Sequence, residues 1–309
     1  MEKKIMVFGS FVVDLMGRTP HLPVPGETVK GSMFRMGAGG KGFNQCVAAH
    51  KAGADVVMVT KLGRDAFAET ALGTMRQLGM PMDRILYSET APTGAALIMV
   101  DEKTSQNEIV VVLGACSTIT DEEVEAQREL LKECDYVLTQ LETNVSAVER
   151  LAELAKETNT KVILNPAPVQ PVSDRVLANV ELITPNEVEA QILTGIPIDS
   201  KAHADEAADW FFARGVKKVL ITLGERGVYI AEKERREILP AYRVKAVDTT
   251  GAGDAFNGGL VAALAEGKDL WESARFANAL AALSVQRLGT TPAMPSREEI
   301  DKFLEDHPS

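Results

Sequence analysis

The sequence predicts an α/β fold, with a mostly parallel central sheet, helices on both faces, and a small β-sheet lid standing off the main body. Two observations carry this reading. Short apolar runs alternate with segments of helical period along most of the chain, the signature of βαβ units that build a parallel sheet. Two β-rich stretches, 12–40 and 93–113, interrupt the alternation and read as one separate small sheet, a lid or an interface. No internal repeat, low-complexity tract or clear linker divides the 309 residues, so residues 1–309 are expected to form a single domain.

In chain order, residues 5–10 form an apolar run ending at Gly9-Ser10, as a buried parallel strand does. Pro- and Gly-punctuated sequence follows to about Gly40, with a loosely alternating strand at 28–36. Helix 42–52, strand 56–60 and helix 66–78 come next. Residues 94–100 and 108–113 flank a polar turn at 101–107 and predict a hairpin. Helix 121–134, strand 136–141, helix 145–157 and strands 162–165 and 182–184 follow. Asn186 and Glu189 open a further helix with capping-box spacing, and helix 203–214 precedes strand 219–223. That strand enters a turn bracketed by Gly224 and Gly227, for which a plain hairpin is the default. Helices 254–266 and 270–287 complete the pattern. Ligands of such folds sit beyond the carboxyl ends of the strands, where this chain places Asp14, Glu142, Asn165, Asn186 and Gly224.

Composition narrows the function. The chain is 45% hydrophobic and 25% charged, as a globular protein should be. Its net charge of −11 disfavours a nucleic-acid or anionic-membrane partner. No stretch reaches the roughly 18 apolar residues of a spanning helix, and the apolar run at the N-terminus is too short for a signal peptide. Cys46, Cys116 and Cys134 are odd in number and unpatterned, which predicts no disulfide framework and fits a cytoplasmic setting. His21, His50, His203 and His307 lack metal-ligand spacing, which argues against a zinc site or a catalytic histidine.

Two Gly-rich runs carry the chemistry. In the first, Gly37, Gly39 and Gly42 match G-x-G-x-x-G. The flanking sequence lacks the strand and ribose-binding acid of a dinucleotide site, and Lys41 followed by Gly42 is no Walker A loop. What remains is a turn that brings Gly39, Gly40, Lys41 and Asn44 to a small polar ligand, or a structural glycine turn. In the second run, Gly251, Ala252 and Gly253 expose amides at the start of a helix, an anion site reinforced by the helix dipole. Asp254 beside it, expected to have a lowered pKa there, would act as a general base for a hydroxyl attacking a phosphoryl group. The alternative is an ordinary helix start. Asn186 and Glu189 serve as a cap, as contacts to a metal–phosphate group through water, or as both.

Taken together, these stretches resemble the ribokinase-like (PfkB-type) sugar kinase family nearly end to end. The resemblance rests on Gly9-Ser10 with Asp14, Pro25-Gly26-Glu27-Thr28, Gly39-Gly40-Lys41-Gly42 with Asn44, and Gln140-Leu141-Glu142. It continues through Asn165-Pro166-Ala167-Pro168, Thr184-Pro185-Asn186-Glu187, Thr222-Leu223-Gly224 with Gly227, and Asp248-Thr249-Thr250-Gly251-Ala252-Gly253-Asp254. It implies ATP-dependent phosphorylation of a pentose, ribose or 2-deoxyribose, at its 5-hydroxyl. Asp254 would be the base, and the amides of Gly251 to Gly253 would hold the transferring group. Asp14, Gly39, Gly40, Lys41, Asn44 and Glu142 would hold the sugar. ATP would lie along Asn186, Thr222, Gly224, Gly227, Gly253 and Asn278, with Mg2+ near Asn186 and Glu189 through water. A monovalent cation, K+, would sit at Asp248, Thr250, Ser284, Arg287 and Gly289. The lid would pair two subunits into a homodimer.

Three positions depart from the family pattern. Val12 stands where ribokinases have an Asn, and an apolar side chain there leaves a buried sugar hydroxyl unpaired at about 1–3 kcal/mol. Because deoxyribokinases also carry an apolar residue there, Val12 predicts good use of 2-deoxyribose. Asn278 replaces a frequent His near the adenine, and Ala293 replaces a Ser of the cation shell, which predicts weaker K+ dependence. Two other readings compete with a pentose kinase. One is a same-family kinase for another substrate, such as a nucleoside, a fructose phosphate or ketodeoxygluconate, of which a fructose-phosphate kinase would need more cations than Lys41 on the sugar side. The other is a catalytically silent sugar- or nucleotide-sensing protein, which would have no need of Asp254.

Overall fold

Alternation in the first strand sets the layers. In β1 (Lys4–Phe8), Ile5 and Val7 enter one hydrophobic cluster while Met6 and Phe8 enter another, because successive strand residues point to opposite faces. The computed structural model describes residues 3–104 and 106–308. After β1 come β2 (Val12–Thr19), β3 (Met33–Gly39), α1 (Lys41–Lys51), β4 (Val56–Gly63), α2 (Ala68–Leu78) and β5 (Ile85–Ser88). The hairpin β6 (Thr93–Asp101) and β7 (Asn107–Gly114) leads through α3 (Asp121–Glu125) and α4 (Arg128–Glu133) into β8 (Cys134–Gln140). Then follow α5 (Val145–Thr158), β9 (Lys161–Asn165), α6 (Asp174–Leu177), β10 (Val180–Ile183), α7 (Glu187–Thr194) and α8 (Lys201–Ala213). The last elements are β11 (Lys218–Thr222), β12 (Val228–Ala231), β13 (Arg236–Leu239), α9 (Ala252–Ala265), α10 (Leu270–Ser284) and α11 (Arg297–Asp306).

The large sheet has nine strands in the order β13-β12-β11-β10-β9-β8-β1-β4-β5. All its pairings are parallel except β11–β12 and β12–β13, so the Gly224–Gly227 turn does start an antiparallel hairpin. Helices α1, α2, α9, α10 and α11 cover one face, and α3 to α8 cover the other. The chain leaves β1 for β4 on one side and returns to β8 on the other. Strand order therefore reverses at β1, and a crevice opens beyond the ends of β1 and β8.

The second sheet takes its strands from the two β-rich stretches, in the order β3-β2-β6-β7. Its register puts Val12, Asp14, Met16 and Arg18 on one face, and Val13 and Leu15 on the other. Val13 and Leu15 pack onto the main core, so the Asp14 face turns toward the crevice.

Several boundaries differ from the sequence expectation. The predicted strand 28–36 begins only at Met33 and runs on to Gly39. The predicted helix 121–134 is broken, and its last residue, Cys134, already belongs to β8. The Gln127 side-chain amide takes the Glu123 carbonyl at 3.1 Å, which competes with continuation of the helical ladder. Strand β5 and helix α11 lie outside the sequence assignment, although Ser296 and Glu299 form a capping box that marks the start of α11.

Two adjacent glycines decide how the last helices dock. A Cβ on Gly258 would lie 2.5 Å from both the Ala48 Cβ and the Gln45 carbonyl of α1, and one on Gly259 would lie 3.0 Å from Leu280 on α10. Helix α9 thus sits against α1 at a distance only glycine permits. Gly258→Ala should push the two helices apart and cost about 1–3 kcal/mol, the range for overpacking a core. Urea unfolding would show it as a lower midpoint at unchanged slope, and an unchanged midpoint would mean the seam can give.

Candidate active site

Asp254 lies in the first turn of α9 and is 7% exposed. Two side chains of α1 hold its carboxylate: Asn44 Nδ2 donates to Oδ2 and Gln45 Nε2 to Oδ1, each at 3.0 Å. The close approach at Gly258 is what brings α1 within reach. Burial raises the Asp254 pKa, and the Glu142 charge pushes the same way, against the downward pull of Lys41 and the two amides. This corrects the sequence expectation of a lowered value, because desolvation outweighs the helix N-terminus. A carboxylate whose pKa is raised above the ordinary value is a stronger base toward a hydroxyl proton.

Of the residues expected to form the anion site, Gly251 adopts the left-handed conformation, with φ +77°, and starts the helix. The Ala252 amide donates to the Thr249 carbonyl at 3.2 Å, while the Gly253 and Asp254 amides, in the first turn of α9, have no backbone partner among the described residues. Of the expected anion-site amides, that of Ala252 is thus engaged within the turn, while those of Gly251 and Gly253 have no partner among the described residues. A cleft of about 190 Å3 opens in front of this helix start, lined also by Lys41, Asn186, Glu189 and Thr222.

On the other side, Glu142 follows β8 and is 7% exposed. Its Oε2 accepts the Lys41 amide at 2.8 Å and Ser10 Oγ at 2.5 Å, which ties the start of α1 to the ends of β1 and β8. Here the glycines prove structural. A Cβ on Gly42 would lie 2.6 Å from the Ser10 amide, and one on Gly39 would lie 2.3 Å from an Asp14 carboxyl oxygen. Gly40, with φ +90°, passes equally close to Val12 and Phe11. Asp14 therefore lies across Gly39. Burial pushes its carboxyl up to about 6, reinforced by the charges of Glu142 and Asp254. Val12 is 2% exposed and belongs to neither core cluster; it shares the Asp14 face and abuts Gly94.

Asn186 and Glu189 form a reciprocal cap: the Glu189 amide donates to Asn186 Oδ1 at 2.8 Å, and the Asn186 amide to Glu189 Oε2 at 2.9 Å. Both also line the cleft, so the cap does not remove them from it. Burial raises Glu189, with Asp254 acting the same way and Lys41 against it. Gly224 and Gly227 bracket the turn after β11. A Cβ on Gly227 would lie 2.0 Å from the Leu239 carbonyl, so this glycine is required by the hairpin itself. Asn278 is buried on α10, donates to the Pro240 carbonyl at 3.4 Å, and is not among the residues lining the cleft.

The expected cation positions come together through Asp248. Its Oδ1 accepts the Thr250 amide and its Oδ2 the Gly289 amide, both at 2.9 Å, joining the approach to α9 with the segment after α10. Burial opposes the Asp248 charge, but those amides more than offset it and hold the carboxyl below its usual range, helped by Arg18. Ser284 Oγ donates to the Ala281 carbonyl, and Arg287 is paired with Glu299. Side chains at 284 and 287 are thus engaged elsewhere.

Sequence reasoning missed two features. Gln45 contacts Asp254 directly, yet a Gln inside an apolar helix carries no local signal of such a role. Arg18 and Arg35 also stand on the Asp14 face of the small sheet, Arg35 with Nη1 3.8 Å from a Cβ placed on Gly289. The expectation that Lys41 is the chief cation on that side is corrected accordingly, although both arginines lean toward Asp248 and Gly289.

Comparison with known proteins agrees with this geometry. A model of the pfkB family carbohydrate kinases matches residues 2–297. A ribokinase of Haemophilus influenzae is 41% identical over 305 residues, covering 99% of each chain. A deoxyribokinase of Salmonella typhi is 35% identical over 301 residues, covering 97% of this chain and 98% of its own. The structure of Arabidopsis thaliana ribokinase complexed with ribose and ATP superposes with a TM-score of 0.94 at 30% identity, covering 99% of each chain. The sugar-kinase motifs, the two-sheet architecture and these full-length matches agree, and the chain belongs to the pfkB family of carbohydrate kinases.

Proposed function

We propose that the protein transfers the γ-phosphoryl group of ATP to the 5-hydroxyl of a pentose, ribose or 2-deoxyribose. The observation that carries this reading is the pairing of a buried, amide-held carboxylate at Asp254 with the helix start at Gly251 to Gly253 in one cleft, where the Gly251 and Gly253 amides have no partner among the described residues. A hydroxyl between them can give its proton to Asp254 while the amides meet the charge on the attacked phosphoryl group. The ribose and ATP of the Arabidopsis complex, and the ribokinase and deoxyribokinase names of the relatives, support the substrate class.

On this reading Asp14, Asn44, Lys41 and Glu142 orient the sugar, with Gly39 and Gly40 giving Asp14 and the β2 backbone the room to take their places beside it. Thr222, Gly224, Gly227, Asn186 and Asn278 border ATP. Mg2+ suits the donor set, since it keeps most of its waters and asks for one or two carboxylates beside the phosphates, and Glu189 with Asn186 supplies that side; when bound it would neutralise phosphate charge. A K+ would take carbonyls of the segments that Asp248 joins. Residues 1–309 act as one domain whose small sheet is a lid over the cleft. Phe34, Met36, Leu97, Val110 and Val112 lie on the lid face opposite Asp14, each more than half exposed, and support a homodimer formed through it. The buried free thiols of Cys46, Cys116 and Cys134 support a cytoplasmic setting.

Asp254→Asn should lower kcat by at least ~10²–10⁴-fold, the usual contribution of a general base, yet leave sugar binding measurable by calorimetry. If wild type and variant both bind sugar and neither consumes ATP, a sensor replaces the kinase. Val12 chooses the sugar: Val12→Asn should move the ribose to 2-deoxyribose ratio of kcat/KM toward ribose by roughly 10-fold or more, equivalent to one regained hydrogen bond. A strong ribose preference that this change leaves untouched removes Val12 from the specificity argument. Asp14 adds a pH dependence. Its folded pKa lies above the ordinary carboxylate value, at about 6, so it protonates as pH falls through 6 and then accepts fewer hydroxyl bonds. The sugar kcat/KM should fall on that limb, and Asp14→Asn should remove the limb along with most of the activity.

A further inference from the structure

Gln45 is fully buried on α1, and its amide is engaged at both ends. Nε2 donates to Asp254 Oδ1 and to Asn165 Oδ1, each at 3.0 Å, while Oε1 accepts Gln140 Nε2 at 2.6 Å. Asn165 is itself fixed, because its Nδ2 donates to the Thr184 carbonyl at 2.9 Å. The amide of Gln45 therefore has one direction only: turned over, it would set Oε1 against two acceptor oxygens. Gly9 makes room for this cluster, since a Cβ there would lie 2.1 Å from Gln140 Oε1.

Asn44 differs. It donates to Asp254 Oδ2, but its own Oδ1 is buried without a partner among the described residues. An arriving hydroxyl can donate to that oxygen and compete for Asp254 Oδ2. Of the two groups on Asp254, Asn44 is the one a substrate can displace, and Gln45 is the one it cannot.

We propose that Gln45 is a positioning residue for Asp254, anchoring Oδ1 from the protein interior while Asn44 exchanges its bond for substrate. This rests on the reading of Asp254 as the base. Asp254 is faced by the Lys41 cation from α1 and by the carboxylates of Glu142 beyond β8, Asp14 on β2 and Glu189 on α7. In that largely acidic surround, the Gln45 donor favours the ionised carboxylate, and its removal moves the titration of Asp254 upward.

The test compares Gln45→Met and Gln140→Met with wild type, in steady-state phosphorylation of ribose and 2-deoxyribose across pH. Gln45→Met should lower kcat about 10- to 100-fold, the cost of a misplaced reacting group, with sugar KM within about twofold and the acid limb of kcat moved to higher pH. Gln140→Met leaves both donors of Gln45 in place but frees its far end, and should shift kcat and the limb in the same directions by less. An active wild type whose kcat and acid limb survive both substitutions overturns the inference and leaves the kinase reading standing. A fall confined to KM would also overturn it, because it would make Gln45 a ground-state binding group. If Gln45→Met does not fold, Gln140→Met decides alone. A wild type that phosphorylates no sugar would remove the kinase reading and this inference together.

Discussion

The structure depends on keeping one carboxylate, Asp254, buried yet ionisable. An unpaired buried charge is expensive, and a protein usually avoids it by protonating the group or pairing it with a cation. Here the principal partners are neutral amides, Asn44 and Gln45, supplied by a single helix. That solution keeps the group a proton acceptor, whereas a direct ion pair with lysine would lower its basicity. It also imposes a geometric condition. Helices α1 and α9 must approach within amide reach, and the seam at Gly258 meets that condition by removing a side chain.

The same device recurs around the crevice. Gly42 lets the start of α1 touch the end of β1, Gly9 leaves room for Gln140, and Gly39 lets Asp14 lie flat across the lid strand. Glu142 then fastens the first amide of α1 and the Ser10 hydroxyl in one grip. The Gly-rich motif is therefore less a loop that wraps a ligand than a set of missing side chains that lets three secondary elements converge. The convergence sets Lys41 on the wall of the cleft and buries Asn44 against Asp254.

Much of this was legible in the sequence, and the failures have physical causes. Parallel strands buried on both faces read clearly as apolar runs, and the small sheet announced itself by breaking the alternation. The break at Gln127 did not, because it comes from one side-chain amide competing for a carbonyl. Asp254, Asp14, Asn44 and Glu142 stood out as polar residues at strand ends or beside glycines. Gln45 was invisible because its role depends on contacts more than 90 residues away, with Gln140, Asn165 and Asp254. The direction of the Asp254 shift also escaped, since local sequence shows the helix N-terminus and conceals the depth of burial.

The charge distribution explains how one crevice can handle two unlike substrates. Asp14, Glu142 and Asp254 crowd the side beneath the small sheet, and mutual repulsion with burial raises both Asp14 and Asp254. A neutral polyol suits such a surface, because each hydroxyl donated to a carboxylate relieves desolvation without adding charge. A second phosphate would meet three acids there, and the two arginines of that sheet face are turned toward Asp248 and Gly289. On the proposed reading phosphate would instead lie at the start of α9, where the helix end offers partial positive charge and Lys41 lines the same cleft. Lys41 is thus the hinge of the electrostatics: it acts to lower both Asp254 and Glu189 while lining the cleft. On the proposed reading, an acid-lined sugar side apart from an amide-lined phosphate side would favour an uncharged sugar as acceptor, whatever the identity of that sugar.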